Sequence, residues 1–435
     1  MKIVHIIPGS GGSFYCGNCL RDSKYYHSIK KLGHEVLKIP MYLPLFSHDD
    51  SNHVPVFYGA VSLYLKQTWP LFRRMPGWFD GLLNTKPLLR QAAKMAGSTR
   101  ARGLEEMTIS MLMGEDGEQA GELEKMTHWL EQHYKPDVIH LSNALLLGLA
   151  GRLKSRLGVP VVCSLQDEDV WVDVMSSKNR DVVWNLMAEK AADVAAFVSV
   201  SRYFSEFITD KMSLDTGKLH TLHLGVDTGD YDFINSSDKK RSIGFLSRMN
   251  HDNGLDILID AFIILKSDPQ NDDVRLYISG GSTNDDRTFL KEQKKKIMDA
   301  GLGQDVIFLE NFEDHQRHLF FERVSVLSVP VRKGEAFGIY LTEAMASGIP
   351  AVQPALGAFP EIIDAAGGGI TYEGNTPENL AFSLDTVLSD STLLSGLSIN
   401  ARKGVEEIFN INNQAAKLVD LYSNLQPASL FSTLG

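Results

Sequence analysis

The chain has 435 residues, 43% of them hydrophobic and 22% charged, which allows two or three globular domains at roughly 150 residues each and excludes a disordered or fibrous protein. Its 43 basic residues against 54 acidic ones leave a net charge of −11, a balance that repels nucleic acid. Three cysteines, Cys16, Cys19 and Cys163, are too few for a secreted disulfide scaffold, and no apolar run reaches the length of a secretory core or a membrane span, so the expected location is the cytoplasm.

Short β-branched runs alternate with amphipathic stretches of helical period, the pattern of parallel strands joined by crossover helices. The first series has predicted strands at 2–7 and 35–39, separated by a glycine loop and a helix ending near Leu32, and resumes with strands at 138–141, 159–164, 196–200 and 219–222. A long insertion, 42–134, interrupts it. Here Arg73, Arg74, Lys86, Arg90, Lys94, Arg100 and Arg102 are set against one acid, Asp80, near Trp69, Phe72, Trp78 and Phe79. The stretch 69–102 reads either as helices with solvated basic faces or as a dock for an anionic or lipid-linked acceptor, in peripheral contact with the inner membrane face.

A second series opens at Arg241 with SIGFLS, followed by a predicted helix at 255–265 and strands at 274–278, 306–309, 324–329 and 351–352. Between the series, GVDTGDYDFINSSDKK (225–240) has the composition of a linker, which puts the boundary near residue 235. The expected organisation is α/β, with two Rossmann-like doubly wound parallel-sheet domains at 1–235 and 236–409. A last helix within 410–435 either covers one domain or crosses back to the first.

Candidate site residues cluster at the expected carboxyl ends of strands. In PGSGGSFYCGNCLRD, Gly11 and Gly12 permit close approach of backbone to a ligand, while Cys16 and Cys19 read as packing residues, as a redox dithiol or as half of a metal site. In DVIHLSN, His140 reads as a core histidine, with Ser142 and Asn143 as sugar or acceptor contacts. In SLQDEDVWVD, Asp167, Glu168 and Asp169 either bind acceptor hydroxyls or a divalent ion, or cap a helix N-terminus. The strongest signal is GEAFGIYLTEAMASGIPAV (334–352). A helix starting near Gly338 aims the amides of Phe337, Gly338 and Ile339 at a phosphate, with Glu335 flanking that anion and Glu343 within reach of a ribose. Together they describe a nucleotide-sugar pocket.

The E-x7-E spacing followed by A-M-A-x-G-x-P-A-V resembles the donor-site motif of family 4 glycosyltransferases. The likeness extends through the glycine loop, DVIHLSNALLLGLAG, LHLGVDTGDY, IGFLSRMNHDNGLD and GAFPEII, and the G-S-F-Y-C-G-N-C-L-R-D loop is similar to that of an uncharacterised branch of the family. The resemblance implies the GT-B fold with an interdomain cleft, and retaining transfer of a sugar from a nucleotide-diphosphate sugar to a carbohydrate or lipid-linked acceptor in glycan biosynthesis. No cofactor and no metal are expected.

By the same resemblance Glu335 contacts the transferred sugar, Glu343 holds the ribose, the Phe337 to Ile339 amides bind sugar and diphosphate, and Arg248 clamps the diphosphate, so that Glu335 and Arg248 form the expected catalytic pair. Gly11, Gly12 and Ser13 would face the donor. Two positions depart from the family: Asn253 stands where a lysine is usual, with Lys333 as a candidate replacement cation, and Ser142 stands where many members carry a histidine. Front-face transfer tolerates the second change, because the leaving phosphate can accept the acceptor proton. The rival readings are another enzyme on this fold, such as a nucleotide-sugar epimerase or a phosphorylase, and a non-catalytic GT-B protein that binds sugar nucleotide without transfer.

Overall fold

A computed structural model of the chain describes residues 1–8, 17–41, 57, 104–309 and 314–426. Two compact units result, Met1–Leu222 joined by Ala415–Gly435, and His223–Gln414.

The first unit is built on β1 (Lys2–Ile7), β2 (Glu35–Pro40), β3 (Val138–Leu141), β4 (Val161–Leu165), β5 (Ala196–Ser199) and β6 (Leu219–Thr221). They form one parallel sheet in the order β2-β1-β3-β4-β5-β6. Its central strands β1 and β3 are largely apolar because both faces are covered: Ile3, Val4, Ile6, Val138, Ile139 and Leu141 are all buried. Register pairs Ile3 with Val36 on one side and Val138 on the other. Between β2 and β3 the chain forms the helices Glu105–Met113 and Ala120–His133, the second of which buries Leu123, Met126, Thr127 and Leu130 at helical spacing. These helices belong to the stretch read as an insertion, whereas the basic segment 69–102 lies outside the described residues.

Polar groups at the sheet centre are paired rather than absent. His140 on β3 is 3% exposed, with Nε2 2.8 Å from the Ser164 hydroxyl, Nδ1 bonded to the Tyr422 hydroxyl, and its ring 4.8 Å from that of His5. This is the core histidine anticipated from sequence. Tyr422 lies on the helix Ile411–Asn424, so that bond fastens the end of the chain to the first sheet.

The second unit contains β7 (Ser242–Leu246), β8 (Arg275–Ser279), β9 (Val306–Leu309), β10 (Val326–Leu327), β11 (Ala351–Pro354) and β12 (Gly369–Tyr372), ordered β12-β11-β10-β7-β8-β9. Sequence patterning does not anticipate β12. Its GITY run begins with glycine and is only half-buried over most of its length, so neither alternation nor an apolar run marks it.

Both sheets reverse their order beside their first strand, since β1 lies between β2 and β3, and β7 between β10 and β8. Such a reversal sends successive crossovers to opposite sides and opens a crevice beyond the carboxyl ends of β1/β3 and of β7/β10. The turn after β7 is fixed by Gly254, which precedes the buried helix Leu255–Leu265. Its φ is +72°, and a Cβ there would lie 1.9 Å from the Pro330 carbonyl oxygen. Gly254→Ala is therefore expected to destabilise the chain by more than about 2 kcal/mol. Urea unfolding followed by far-ultraviolet circular dichroism, which reports on the second unit as well as the first, measures this, and an unchanged midpoint would contradict the close approach.

Candidate functional site

In the second unit the chain leaves β10, runs through the loop 328–338 and enters the helix Ile339–Ala346. Gly338 caps that helix in the left-handed region at φ 79°, without a side-chain cap. The first amides of the helix consequently stay open. Among the described residues the N–H groups of Phe337, Gly338 and Ile339 donate to nothing, although Phe337 is only 2% exposed. Open amides at the positive end of a helix favour an anion.

Glu335 is half-buried in the same loop. The Tyr340 hydroxyl donates to its Oε2, and its carbonyl accepts the Ala358 N–H at 3.0 Å, which ties the loop to the chain following β11. Phe337 packs against His223 and Phe409, and His223 Nε2 lies 2.8 Å from Glu361 Oε1 in the GAFPEII segment. Thus the loop's shape is held from three sides.

Glu343, one turn into the helix, has different surroundings. It is 4% exposed, its Oε1 accepts from the Tyr231 hydroxyl at 2.8 Å, and it forms a buried ion pair with Arg317. Sequence reading did not single out Arg317 or Tyr231. Arg317 stands in no motif, Tyr231 closes the LHLGVDTGDY segment without any sign of a partner, and each meets Glu343 across a long chain separation.

Arg248 follows β7 at the other side of the strand-order reversal. Its Nη2 bonds to Thr283 Oγ1 at 2.8 Å and to Asp286 Oδ2 at 2.9 Å, and its Nε bonds to Asp286 Oδ2 at 3.1 Å. Nη1 makes no hydrogen bond among the described residues. Burial alone would raise the Asp286 carboxyl, but the Thr283 amide and hydroxyl together with Arg248 outweigh it and hold the group below the usual carboxylate range. Thr283 and Asp286 form a capping box whose T-x-x-D spacing is visible in the sequence. That spacing gives a helix start, not a partner for Arg248. Asn253 braces the turn, donating from Nδ2 to Ser247 Oγ at 2.7 Å and to the Arg248 carbonyl at 3.2 Å. Lys333 is exposed and makes no ion pair among the described residues.

In the first unit the loops after β3 and β4 carry the remaining candidates. Ser142 is 1% exposed, and its N–H extends the sheet to the Ile6 carbonyl at 3.0 Å. Asn143 is half-buried, and its Oδ1 accepts the Leu145 N–H at 3.1 Å. Gln166, not anticipated from sequence, is 3% exposed and donates from Nε2 to the Ser142 carbonyl at 3.3 Å, while its Oε1 has no partner among the described residues. Of the three acids read in this segment, Glu168 turns inward. It is fully buried, and that burial pushes its carboxyl up to about 8 against the opposing pull of three backbone N–H donors, those of Ala144, Glu168 itself and Gln166. Gly11, Gly12, Ser13 and Cys16 lie outside the described residues.

Among the described residues no helix is long and apolar enough to cross a membrane. The chain matches the family described as Glycosyl transferases group 1 over residues 229–404, and the Glycosyl transferase 4-like domain over residues 99–225. It is 24% identical over 302 residues to an uncharacterized glycosyltransferase of Methanocaldococcus jannaschii, a match covering 66% of this chain and 75% of that one. It is 26% identical over 188 residues to the lipopolysaccharide core biosynthesis mannosyltransferase LpsB of Rhizobium meliloti, covering 43% of this chain and 52% of LpsB. Among solved structures, the sucrose-phosphate synthase of Thermosynechococcus elongatus matches with a TM-score of 0.70 at 16% identity over 98% of each chain. Anabaena HepE, in complex with UDP, matches with a TM-score of 0.68 at 17% identity over 98% of this chain and 100% of its own. The fold is GT-B.

The raised Glu168 carboxyl has a consequence for stability. Because the folded pKa of about 8 lies above the ordinary value of 4.5, the folded chain keeps a proton that the unfolded chain loses, so stability falls as pH rises through that window. The slope from this group is at most about 1.4 kcal/mol per pH unit. Thermal unfolding followed from about pH 5 to about pH 8 should show the wild-type midpoint dropping more steeply than that of Glu168→Gln, whereas parallel curves would mean that Glu168 does not titrate there.

Proposed function

We propose that this chain, which belongs to the group 1 glycosyl transferases, moves a sugar from a nucleotide-diphosphate sugar to an acceptor hydroxyl with retention of anomeric configuration. The observation carrying this reading is the set of open amides at Phe337, Gly338 and Ile339, flanked by Glu335 and facing the same strand-order reversal from which Arg248 emerges. An anion meets the positive end of the helix, and Arg248, oriented by Thr283 and Asp286, adds a permanent positive charge. Glu335, aligned by Tyr340, offers its carboxylate to hydroxyls of the sugar. For Glu343 to hold a ribose, the sugar must compete with Tyr231 and Arg317 for its carboxylate.

The bond between the anomeric carbon and the leaving phosphate oxygen breaks while the acceptor oxygen bonds to the same carbon from the same face. The acceptor proton passes to the departing diphosphate. No side-chain base is required, which suits Ser142 at its position, and Ser142 with Asn143 belongs to the acceptor side. Gly11 and Gly12 are assigned to the donor. Asn253 cannot replace a lysine as a cation, and its bonds to Ser247 and the Arg248 backbone give it a bracing role. The chemistry calls for no metal. Binding at the cytoplasmic face of a membrane through 69–102 is part of the same proposal, with an anionic or lipid-linked acceptor.

A second reading, a protein that binds sugar nucleotide without transfer, draws on one observation: Asp286 partly cancels the charge of Arg248 while Asn253 supplies none. The two readings separate in a thermal-shift and turnover series. UDP, GDP and ADP are the first probes, suggested by the UDP complex of HepE and by LpsB as a mannosyltransferase. A diphosphate present at about 100 times its Kd should stabilise the chain by about 2.7 kcal/mol. Arg248→Ala should weaken that binding about ten- to hundredfold. Glu335→Gln should retain binding and lower turnover of UDP-glucose, UDP-galactose or GDP-mannose by about a hundredfold or more. Nucleotide-sugar binding with neither transfer nor slow hydrolysis, and unaltered behaviour of Glu335→Ala, would favour the non-catalytic reading.

A further inference from the structure

The carboxyl edge of the first sheet holds a contact that donor chemistry does not use. Glu168 opens the short helix Glu168–Val172 and is 1% exposed. Its two carboxyl oxygens serve two different strand-end loops: Oε1 accepts the Ala144 N–H at 2.9 Å, after β3, and Oε2 accepts the Gln166 N–H at 2.7 Å, after β4. The residue before it, Asp167, has φ 54°, a backbone conformation that side chains other than glycine, asparagine and aspartate rarely adopt. A buried acid and a left-handed aspartate thus meet at adjacent positions, and both serve to bring one carboxyl under two amides.

The loop it grips carries the acceptor candidates. Ser142 is bonded through its N–H to Ile6 and through its carbonyl to the Gln166 side chain, Asn143 is extended and caps the following turn, and Ala144 is bonded to Glu168. Each of three consecutive residues is therefore fixed. Of the common side chains that could fill this space, only glutamate presents two acceptor atoms at the required reach, whether protonated or ionised. Glutamine has one oxygen and would set an NH2 against the second amide. Aspartate is a methylene shorter, and an apolar residue would leave two buried N–H groups unsatisfied.

We propose that Glu168 is a positioning residue whose carboxyl clamps the β3 and β4 ends together and so holds Ser142 and Asn143 in one arrangement for the acceptor, a role that rests on the glycosyl-transfer reading above.

Two measurements on the full chain test it. Hydrogen exchange of Glu168→Gln should show the Ala144 or Gln166 amide exchanging about tenfold faster or more, with residues 334–346 unchanged. Steady-state kinetics with UDP-glucose and GDP-mannose as donors, and D-inositol 3-phosphate and n-octyl α-D-mannoside as acceptor probes, should show kcat/KM for the acceptor falling about tenfold or more. The donor KM and acceptor-independent hydrolysis should stay at wild-type values. If Glu168→Gln does not fold, Glu168→Asp carries the same expectations. Unchanged exchange at both amides would overturn the clamp. Acceptor turnover and donor hydrolysis falling in parallel would reduce Glu168 to a structural role and overturn positioning. A wild-type chain that turns over no donor would defeat the transferase reading, and the positioning role with it, even where faster exchange upholds the clamp.

Discussion

The proposed donor site depends on a helix that begins without a cap. Serine, threonine, aspartate and asparagine are the side chains preferred for closing the first amides of a helix, but here the N-cap is Gly338 and no side chain bonds back. A capping oxygen at that position would occupy the place of an external anion. The chain instead leaves three amides open and stabilises the loop by other means: Tyr340 on Glu335, Ala358 on the Glu335 carbonyl, and Phe337 against His223 and Phe409. Rigidity comes from the flanks of the loop, so its tip is free to receive charge.

The charge balance around that tip is unusual. A diphosphate needs compensation, and Arg248, beside the strand-order reversal, is already bonded to a carboxylate. Asp286 lowers the net charge there, yet it also fixes the guanidinium plane through Nε and Nη2, which leaves Nη1 without a hydrogen bond among the described residues. A bidentate-capable cation held in one orientation loses less freedom when it meets a phosphate than a mobile lysine would. Asn253 fits the same logic, because it holds the Ser247–Arg248 backbone through its side-chain amide where a lysine would have projected a charge. The proposed site relies on preorganised dipoles more than on the number of cations.

What could be read from sequence follows what is local. Strands buried on both faces advertise themselves as apolar runs, which is why the bounds of β1 and β3 can be read to the residue; β9 is mostly half-buried yet reads as a strand through its apolar VIFL run, whereas β12, led by glycine, does not stand out. The helix Leu255–Leu265 was legible from its apolar content, and the open amides of 337–339 were legible from a glycine placed before a good helix former. Partners were not legible. Arg317 and Tyr231 at Glu343, Asp286 at Arg248, and Ala144 at Glu168 are brought together by strand order, which residue pattern does not encode one contact at a time. Glu168 shows the distinction well. Its position at a helix start suggested a cap, and only the side-by-side placement of β3 and β4 reveals that its second oxygen reaches another loop.

The two glutamates of the E-x7-E spacing, alike in sequence, are physically different groups. Glu335 is half-buried, on a loop, and oriented by a hydroxyl that can follow it, so it can exchange partners at little cost. Glu343 is buried on a helix with an arginine and a tyrosine already satisfying it, and removing the arginine would strand a charge in the interior. A ligand hydroxyl that reaches Glu343 must therefore replace the Tyr231 bond while Arg317 keeps its ion pair with the carboxylate, rather than meet an idle acid. The residues that orient Glu343 are thus as much a part of any ribose site as the glutamate itself, and the eight-residue spacing reports only the half of that arrangement that lies on one helix.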